Sequence, residues 1–401
     1  MFKLAWKNIF RNKRRSILSA SAIFFAVVFV SSMLSLYEAM IMDMQKNTIN
    51  HQLGNINIKT KKYIENERIL PLQFYIENVD EKIDIINSIE GVEGATPVTK
   101  LPSMTFLGDE SYNVMIYGVN FETSRYFDQG IINEGDFPKE DNEVLISSKL
   151  AKEMNIKTGD LFTFLSKTAI GGSNALGVKV SGIYSSNDLD MNNLNFFISM
   201  NQLSKTLRMN KGATEILVFT DSSVSKEVVQ NKLKDDSLSA TSWKDNSLIG
   251  QMIDLMKVIY GFIQVLFLLF ASTIILNTTM MSIIERKREI ATLVALGYDT
   301  HWIRKLFLFE TALLTLIASI VGSIVGGILI SILNKTGLDM IAMGGESVSG
   351  FAMNSYIYPY LPFENFIILI CLAIIISTVT CFFPTRRVLK IQPAKALHDE
   401  I

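Results

Sequence analysis

The first chemistry to test in this chain is nucleotide hydrolysis. A P-loop reads G-x-x-x-x-G-K-[ST], with glycines baring backbone N–H groups and a lysine reaching the phosphates. The nearest stretch, GSNALGVKV at 172–180, has Val178 where that lysine must stand. GGESVSG at 344–350 misses the G-x-S-x-G register of a nucleophile elbow. His51, His301 and His398 fall in different segments without H-E-x-x-H or Cys/His spacing, which argues against a metal site. The chain is therefore expected to hold no catalytic, cofactor-binding or metal residues and to be a non-enzyme that draws its energy from elsewhere.

The elements around these residues explain why. Four windows, 17–37, 258–284, 311–334 and 365–385, contain no Asp, Glu, Lys or Arg. At 1.5 Å per residue, about 20 residues cross the roughly 30 Å hydrocarbon core. One central charge would cost about 3 kcal/mol there. The windows lack the embedded ionisable groups that proton-coupled carriers use, so a proton relay is not expected. Cys371 and Cys381, the only cysteines, lie in the last window. Whatever folds outside must do so without disulfides. The first window has no A-x-A-like site after it and is longer than a signal-peptide core, so it reads as an uncleaved anchor.

Charge fixes the expected orientation. Residues 1–15 carry Lys3, Lys7, Arg11, Lys13, Arg14 and Arg15 and no acid, and basic clusters recur at 286–288, 304–305 and 386–395. The stretch 336–364 has no Lys or Arg. The positive-inside rule puts both termini and the 285–304 loop in the cytoplasm of an inner-membrane, multi-pass protein. Residues 41–254 carry 29 acidic and 21 basic side chains, which suits an exported domain and argues against nucleic-acid binding.

The fold class expected is thus integral membrane: four transmembrane α-helices, with a large extracytoplasmic α+β domain between the first and second. Its boundaries are an interfacial helix at 1–15, spans at 16–40, 253–284 (with a stalk), 305–335 and 365–385, the domain at 41–252, an outer loop at 336–364 and a tail at 386–401. In the domain, GNINIKT, NVMIYGV, LFTFLS, GVKVSGIY and TEILVFT alternate as strands do. VDEKIDIINSIEG, SSKLAKEMNI, SMNQLSKTLRM and SSVSKEVVQNKLKD have helical spacing, the first stopping at Gly91. About 210 residues suffice for a full core, in one lobe or two. The chain from 243 to 284 could form one continuous stalk and span.

Three shorter patterns stand out. The N-terminal residues put Phe2, Ala5, Trp6, Ile9 and Phe10 on one helical face and Lys3, Lys7 and Arg11 on the other. This is the profile of a helix in the membrane interface, anchored by Trp6, Lys7, Arg11, Arg14 and Arg15. In the third span, Ala318, Gly322 and Gly326 form one small-residue ridge, flanked by Ser319, Ser323 and Gly327. Such ridges admit another helix at close range, and a helix of a second membrane subunit is the favoured partner over one of the same chain. Between the second and third spans, Ile290, Leu293 and Val294 share a helical face opposite Glu285, Arg288 and Thr292, and Gly297 closes the helix. On physics alone, this loop is either a docking element or a topogenic charged loop.

ERKREIATLVALG at 285–297, WKNIFRNKRRS near the start, FPTRRVLKIQPAKAL near the end and the small-residue third span resemble the FtsX-like permeases. These are membrane subunits of MacB-type and lipoprotein-releasing (LolC/LolE-type) ABC transporters. VLISSKLAKEMNIKTGDLFTFLSK and NFFISMNQLSKTL are also similar to the family pattern, in its MacB-like periplasmic core domain. The resemblance implies a coupling helix in this loop, with Glu285, Arg286, Arg288, Glu289, Leu293 and Gly297 meeting a separate cytoplasmic ATPase. Two copies of that ATPase would bind ATP and Mg, and their closure would move the stalks by mechanotransmission. It also implies a second permease, identical or paralogous. Lipoprotein release to a periplasmic carrier is the leading expectation. Efflux of a drug, peptide or toxin and an FtsX-type regulatory mechanotransmitter remain open beside it.

Overall fold

The computed structural model describes residues 2–11, 13–127, 131–186, 188, 191–221, 224–246, 248–339, 342 and 354–386. The chain divides into two compact units, one of long helices and one of mixed α/β structure formed mainly by residues 42–253.

The helical unit begins with an entry helix, Phe2–Arg11. Four apolar helices follow: the first span within Lys13–Asn47, the second Leu248–Glu285, the third Thr300–Thr336 and the fourth Phe363–Thr385. All four are long and apolar enough to cross a bilayer. The described residues on both sides of position 247, Trp243–Asn246 and Leu248–Glu285, are helical, and position 247 lies outside the described residues.

A shared apolar cluster joins the spans, with Ile23 and Val27 from the first, Leu268 and Ile275 from the second, Ala318 from the third and Leu369 and Ala373 from the fourth. Between helices in lipid, hydroxyl pairs and close packing supply what the hydrophobic effect does not. Ser19 Oγ lies 2.6 Å from Thr278 Oγ1, and Ser272 Oγ lies 3.2 Å from Thr380 Oγ1.

The small-residue ridge corrects one expectation. A Cβ added at Gly322 would lie 3.1 Å from Phe24 O and from Val27, and one at Gly326 would meet Ser31. Ala318 and Ser319 are buried beside them. This ridge receives the first span of the same chain, so its smallness is already used within the subunit. Ser323 and Gly327 turn toward the fourth span and are only half-buried; a Cβ on Gly327 would stand 3.7 Å from Phe366 Cζ.

In the α/β unit, ten strands form one sheet among the described residues. They are β1 (Ile56–Thr60), β2 (Val92–Leu107), β3 (Glu110–Val119), β4 (Ile132–Gly135), β5 (Glu143–Ser147), β6 (Leu161–Lys167), β7 (Ser173–Tyr184), β8 (Asn195–Ser199), β9 (Glu215–Thr220) and β10 (Leu238–Ser242). The order is β10-β1-β9-β2-β3-β8-β5-β7-β4, and β6 pairs with both β2 and β7. The pairing β2-β3-β8-β5-β7-β6 therefore closes on β2, which removes edges that would otherwise invite foreign strands.

Two lobes share this sheet. Inside the closed ring pack Leu101, Ile116, Ile146, Phe162, Phe164, Val178 and Phe196. The other lobe covers β10-β1-β9-β2 with the helices Val79–Asn87 and Lys226–Leu233, whose Ile86 and Val229 share a core cluster with Ile58 and Val218 of the sheet. β2 is the common spine: Val98 pairs with Glu215 on β9, and Met104 with Asn113 on β3 and Leu165 on β6. The chain enters this unit through a π-turn, Thr48–Leu53, that ends at Gly54 with φ +66. A side chain at Gly54 would strike the Val218 backbone at 2.9 Å, so glycine is required by space as well as by φ.

Candidate coupling site

The loop between the second and third spans folds as the helix Lys287–Ala295. Its end is set by local hydrogen bonding. Gly297 takes φ +92, its N–H donates to Val294 O at 3.0 Å, and Tyr298 N–H donates to Leu293 O at 3.0 Å. This is a Schellman closure, which satisfies carbonyls the last turn leaves open. Asp299 Oδ1 then accepts from His301 N–H at 3.0 Å and starts the third span.

The apolar face of this helix turns inward. Ile290 packs with Ile283, Ile303 and Phe307, and Leu293, Val294 and Trp302 lean on the same cluster. Arg288, Glu289 and Thr292 are exposed on the other face, with Leu296 and Tyr298 at the tip. Leu296 is 73% exposed, unusual for a leucine in a structured closure.

Two polar links tie the loop to neighbouring helices. Arg11 Nη2, on the entry helix, donates to both carboxylate oxygens of Glu289 at 2.8 Å. Arg286, which sits at the break between the second span and the loop helix, brings Nη1 to 3.8 Å from Glu310 Oε2. Asn8 Nδ2 donates to the same Glu310 oxygen at 3.3 Å. Entry helix, loop helix and third span are thus joined at their bases. Arg304 adds a further contact, its guanidinium carbon 3.8 Å from the Phe382 ring centre on the fourth span.

Among the residues expected to couple, Glu285, Arg288, Glu289 and Gly297 lie exposed on the loop. Arg286 and Leu293 do not: Arg286 is buried beside Glu310, and Leu293 packs within the subunit. On the entry helix, Trp6, Lys7 and Arg11 are exposed, while Ala5 and Ile9 are buried and the helix packs on the third span; Arg14, in the first turn of the next helix, is exposed too. The Arg15 side chain lies outside the described residues, as do Arg387, Lys390, Lys395 and His398.

Sequence reasoning missed Asn8, Glu310, Leu296 and Tyr298. Glu310 also corrects a stated absence: the third helix does embed a carboxylate, shielded from water, one residue before the uncharged window begins. A window defined by lack of charge stops at the first charge and cannot show that the helix continues.

The α/β unit holds a second polar cluster around a cavity of about 220 Å³. His51 Nδ1 stands 2.9 Å from Asp188 Oδ2, and Lys59 Nζ lies 2.6 Å from Glu67 Oε1 and 3.4 Å from Glu215 Oε2. Burial pushes the Glu215 carboxyl up, but the charges of Lys59 and Lys100 and the hydrogen bond from Asn57 outweigh it and leave the group below its usual range. Burial raises the Tyr126 hydroxyl far above its ordinary value.

With this architecture in place, comparison with known proteins is decisive at the level of family. Residues 16–236 match the MacB-like periplasmic core domain, more than half of the chain, and residues 261–393 match the FtsX-like permease C-terminal domain. The chain belongs to the FtsX-like permease family with a MacB-like periplasmic core domain, and its four apolar helices mark it as a multi-pass membrane protein. The ABC transporter permease YtrF of Bacillus subtilis (strain 168) is 26% identical over 190 residues, which covers 47% of this chain and 43% of that protein. The chain thus spans less than half the length of that relative. Among solved structures, the periplasmic region of MacB from Actinobacillus actinomycetemcomitans aligns at 16% identity and TM-score 0.37, over 53% of this chain and 97% of that one. The extracellular domain of the ABC-type transporter YknZ from Gram-positive bacteria aligns at 14% identity and TM-score 0.34, over 47% and 99%.

Proposed function

We propose that this permease couples to a separate cytoplasmic ABC ATPase through the loop helix and works by mechanotransmission. The observation that carries the reading is the pair of polar links. Glu289 to Arg11 and Arg286 to Glu310 bind the loop helix to the entry helix and the third span. A push on the exposed Arg288, Leu296 and Tyr298 would therefore reach three helices together. ATP and Mg belong to the partner, in two copies, and a second permease, identical or paralogous, completes the assembly. In this reading both termini and the loop face the cytoplasm, as the basic clusters favour, and the MacB-like domain lies outside.

For the cargo we favour lipoprotein release. The uncharged stretch 258–284 and the exposed Phe25, Phe262 and Phe270 on the first and second spans offer an apolar wall suited to acyl chains. Purification from native membranes in mild detergent, with mass spectrometry of everything bound, tests both levels. An ATPase with acylated lipoprotein supports the full reading. An ATPase without lipoprotein would move the cargo to a drug, peptide or toxin, or to a regulator that transports nothing. No ATPase would remove the coupling assignment.

A further inference from the structure

The third and fourth spans leave a groove between them, of about 970 Å³, that the coupling account does not use. Its walls are Ile324, Ile328 and Ile332 on the third span, at four-residue intervals, and Phe366, Ile367 and Ile370 on the fourth. The half-buried Ser323 and Gly327 line it too, so the second small-residue row of the third span opens room there instead of closing a helix contact. Lining residues run from Ile320 to Lys335. At 1.5 Å per residue this is about 22 Å, longer than the roughly 15 Å half-thickness of a bilayer core.

The polar end of the groove says what fits. Lys335 lines it in the last turn of the span and is the only Lys or Arg between Lys305 and Arg386. It is exposed and makes no ion pair among the described residues. Tyr360 lines the same end, and Tyr358 and Tyr360 are both half-exposed, as aromatic side chains are at the headgroup level. Asn334 Nδ2 donates to Pro359 O at 2.9 Å and fixes this rim. A foreign helix laid in the groove would cover an unpaired ammonium with apolar surface, at a desolvation cost. A phospholipid places a phosphate on that ammonium and an acyl chain along the isoleucines.

We propose that this groove is a binding site for an anionic phospholipid of the surrounding membrane, one acyl chain between the third and fourth spans and the headgroup on Lys335. The site is independent of ATPase coupling and of the cargo. It reads Gly327 as the residue that keeps the groove open, since a larger side chain there projects toward Phe366.

The test uses the full chain reconstituted in nanodiscs of equal parts dioleoylphosphatidylglycerol and dioleoylphosphatidylcholine, which share acyl chains and differ in headgroup. Lipids retained after release into mild detergent are counted by native mass spectrometry. Wild type is expected to retain phosphatidylglycerol in preference. Lys335→Ala should lower that preference about fivefold, the worth of one basic residue at a lipid surface, and Lys335→Arg should keep it. Gly327→Leu, or Ile324→Trp on the exposed wall should the glycine variant not fold, should lower retention of both lipids. An unchanged preference in Lys335→Ala overturns the proposal. So does efficient disulfide formation between two copies of an Ile328→Cys variant in native membranes, which would make the groove an interface between permeases.

Discussion

Arg286 and Glu310 face each other at 3.8 Å with both side chains largely withdrawn from water, and among the described residues Arg286 Nε has no hydrogen-bond partner of its own. Removing one partner of such a pair leaves a buried charge uncompensated, which typically costs about 3–5 kcal/mol, whereas replacing both by apolar residues is often neutral. Glu310→Ala is therefore expected to lower the melting temperature of the detergent-solubilised protein strongly. Arg286→Met with Glu310→Met should restore most of it. A double variant as unstable as the single one would mean that Glu310 matters through Asn8 and not through Arg286.

The glycines of the membrane helices separate into two kinds. A Cβ at Gly322 meets Phe24 O and Val27 at 3.1 Å, while a Cβ at Gly261 meets nothing within 4 Å. Gly322→Leu should overpack the first and third spans and cost about 1–3 kcal/mol. Gly261→Ala should leave stability unchanged or raise it by a few tenths of a kcal/mol, through loss of freedom in the unfolded chain. Thermal melts of the two variants side by side check the assignment of the first small-residue ridge to packing within the subunit.

Residues 42–253 contain no cysteine and form the main part of the α/β unit. Expressed alone, this fragment is expected to melt cooperatively, with or without reductant. Its acid limb has a named contributor. The hydrogen bonds of Asp235 with Lys82 and Ser237 hold its carboxyl at about 2, against an ordinary 3.8. A group held low in the fold stabilises fully above its unfolded pKa, and the gain is lost as pH falls from about 4 toward 2. Both side chains are partly exposed, so the gain is about 1 kcal/mol after solvent screening. Lys82→Met should flatten the pH dependence in that window; an unchanged acid limb would assign it to other carboxylates.

Much of this was legible in the sequence, for physical reasons that also mark where reading stops. Uncharged runs of 20 or more residues have few other uses, so all four spans were plain. Strands with one polar face, such as LFTFLSK with alternate residues buried, announced themselves by period. β5 and β8 are short runs that passed unread, and the closure of the ring through β2 is a long-range pairing that no local pattern encodes. At the loop, the glycine that closes the helix was readable from residue type. Which face turns inward was not, because Leu293 and Arg286 look available until Phe307 and Glu310 are placed against their neighbours. The small-residue ridge showed that a helix would come close, but could not say whose.

The coupling account stands or falls on the exposed tip of the loop helix. Leu296→Asp combined with Arg288→Glu changes two exposed side chains and touches neither Glu289 nor the Arg286–Glu310 pair. Pull-down from native membranes, with Ile69→Asp on the equally exposed surface of the α/β unit as control, reads the amount of ATPase bound. The account predicts that the loop variant stays in the membrane, melts like wild type and loses at least about tenfold of the bound ATPase, the effect of about 1.4 kcal/mol, while the control loses none. Undiminished ATPase on the loop variant would contradict it.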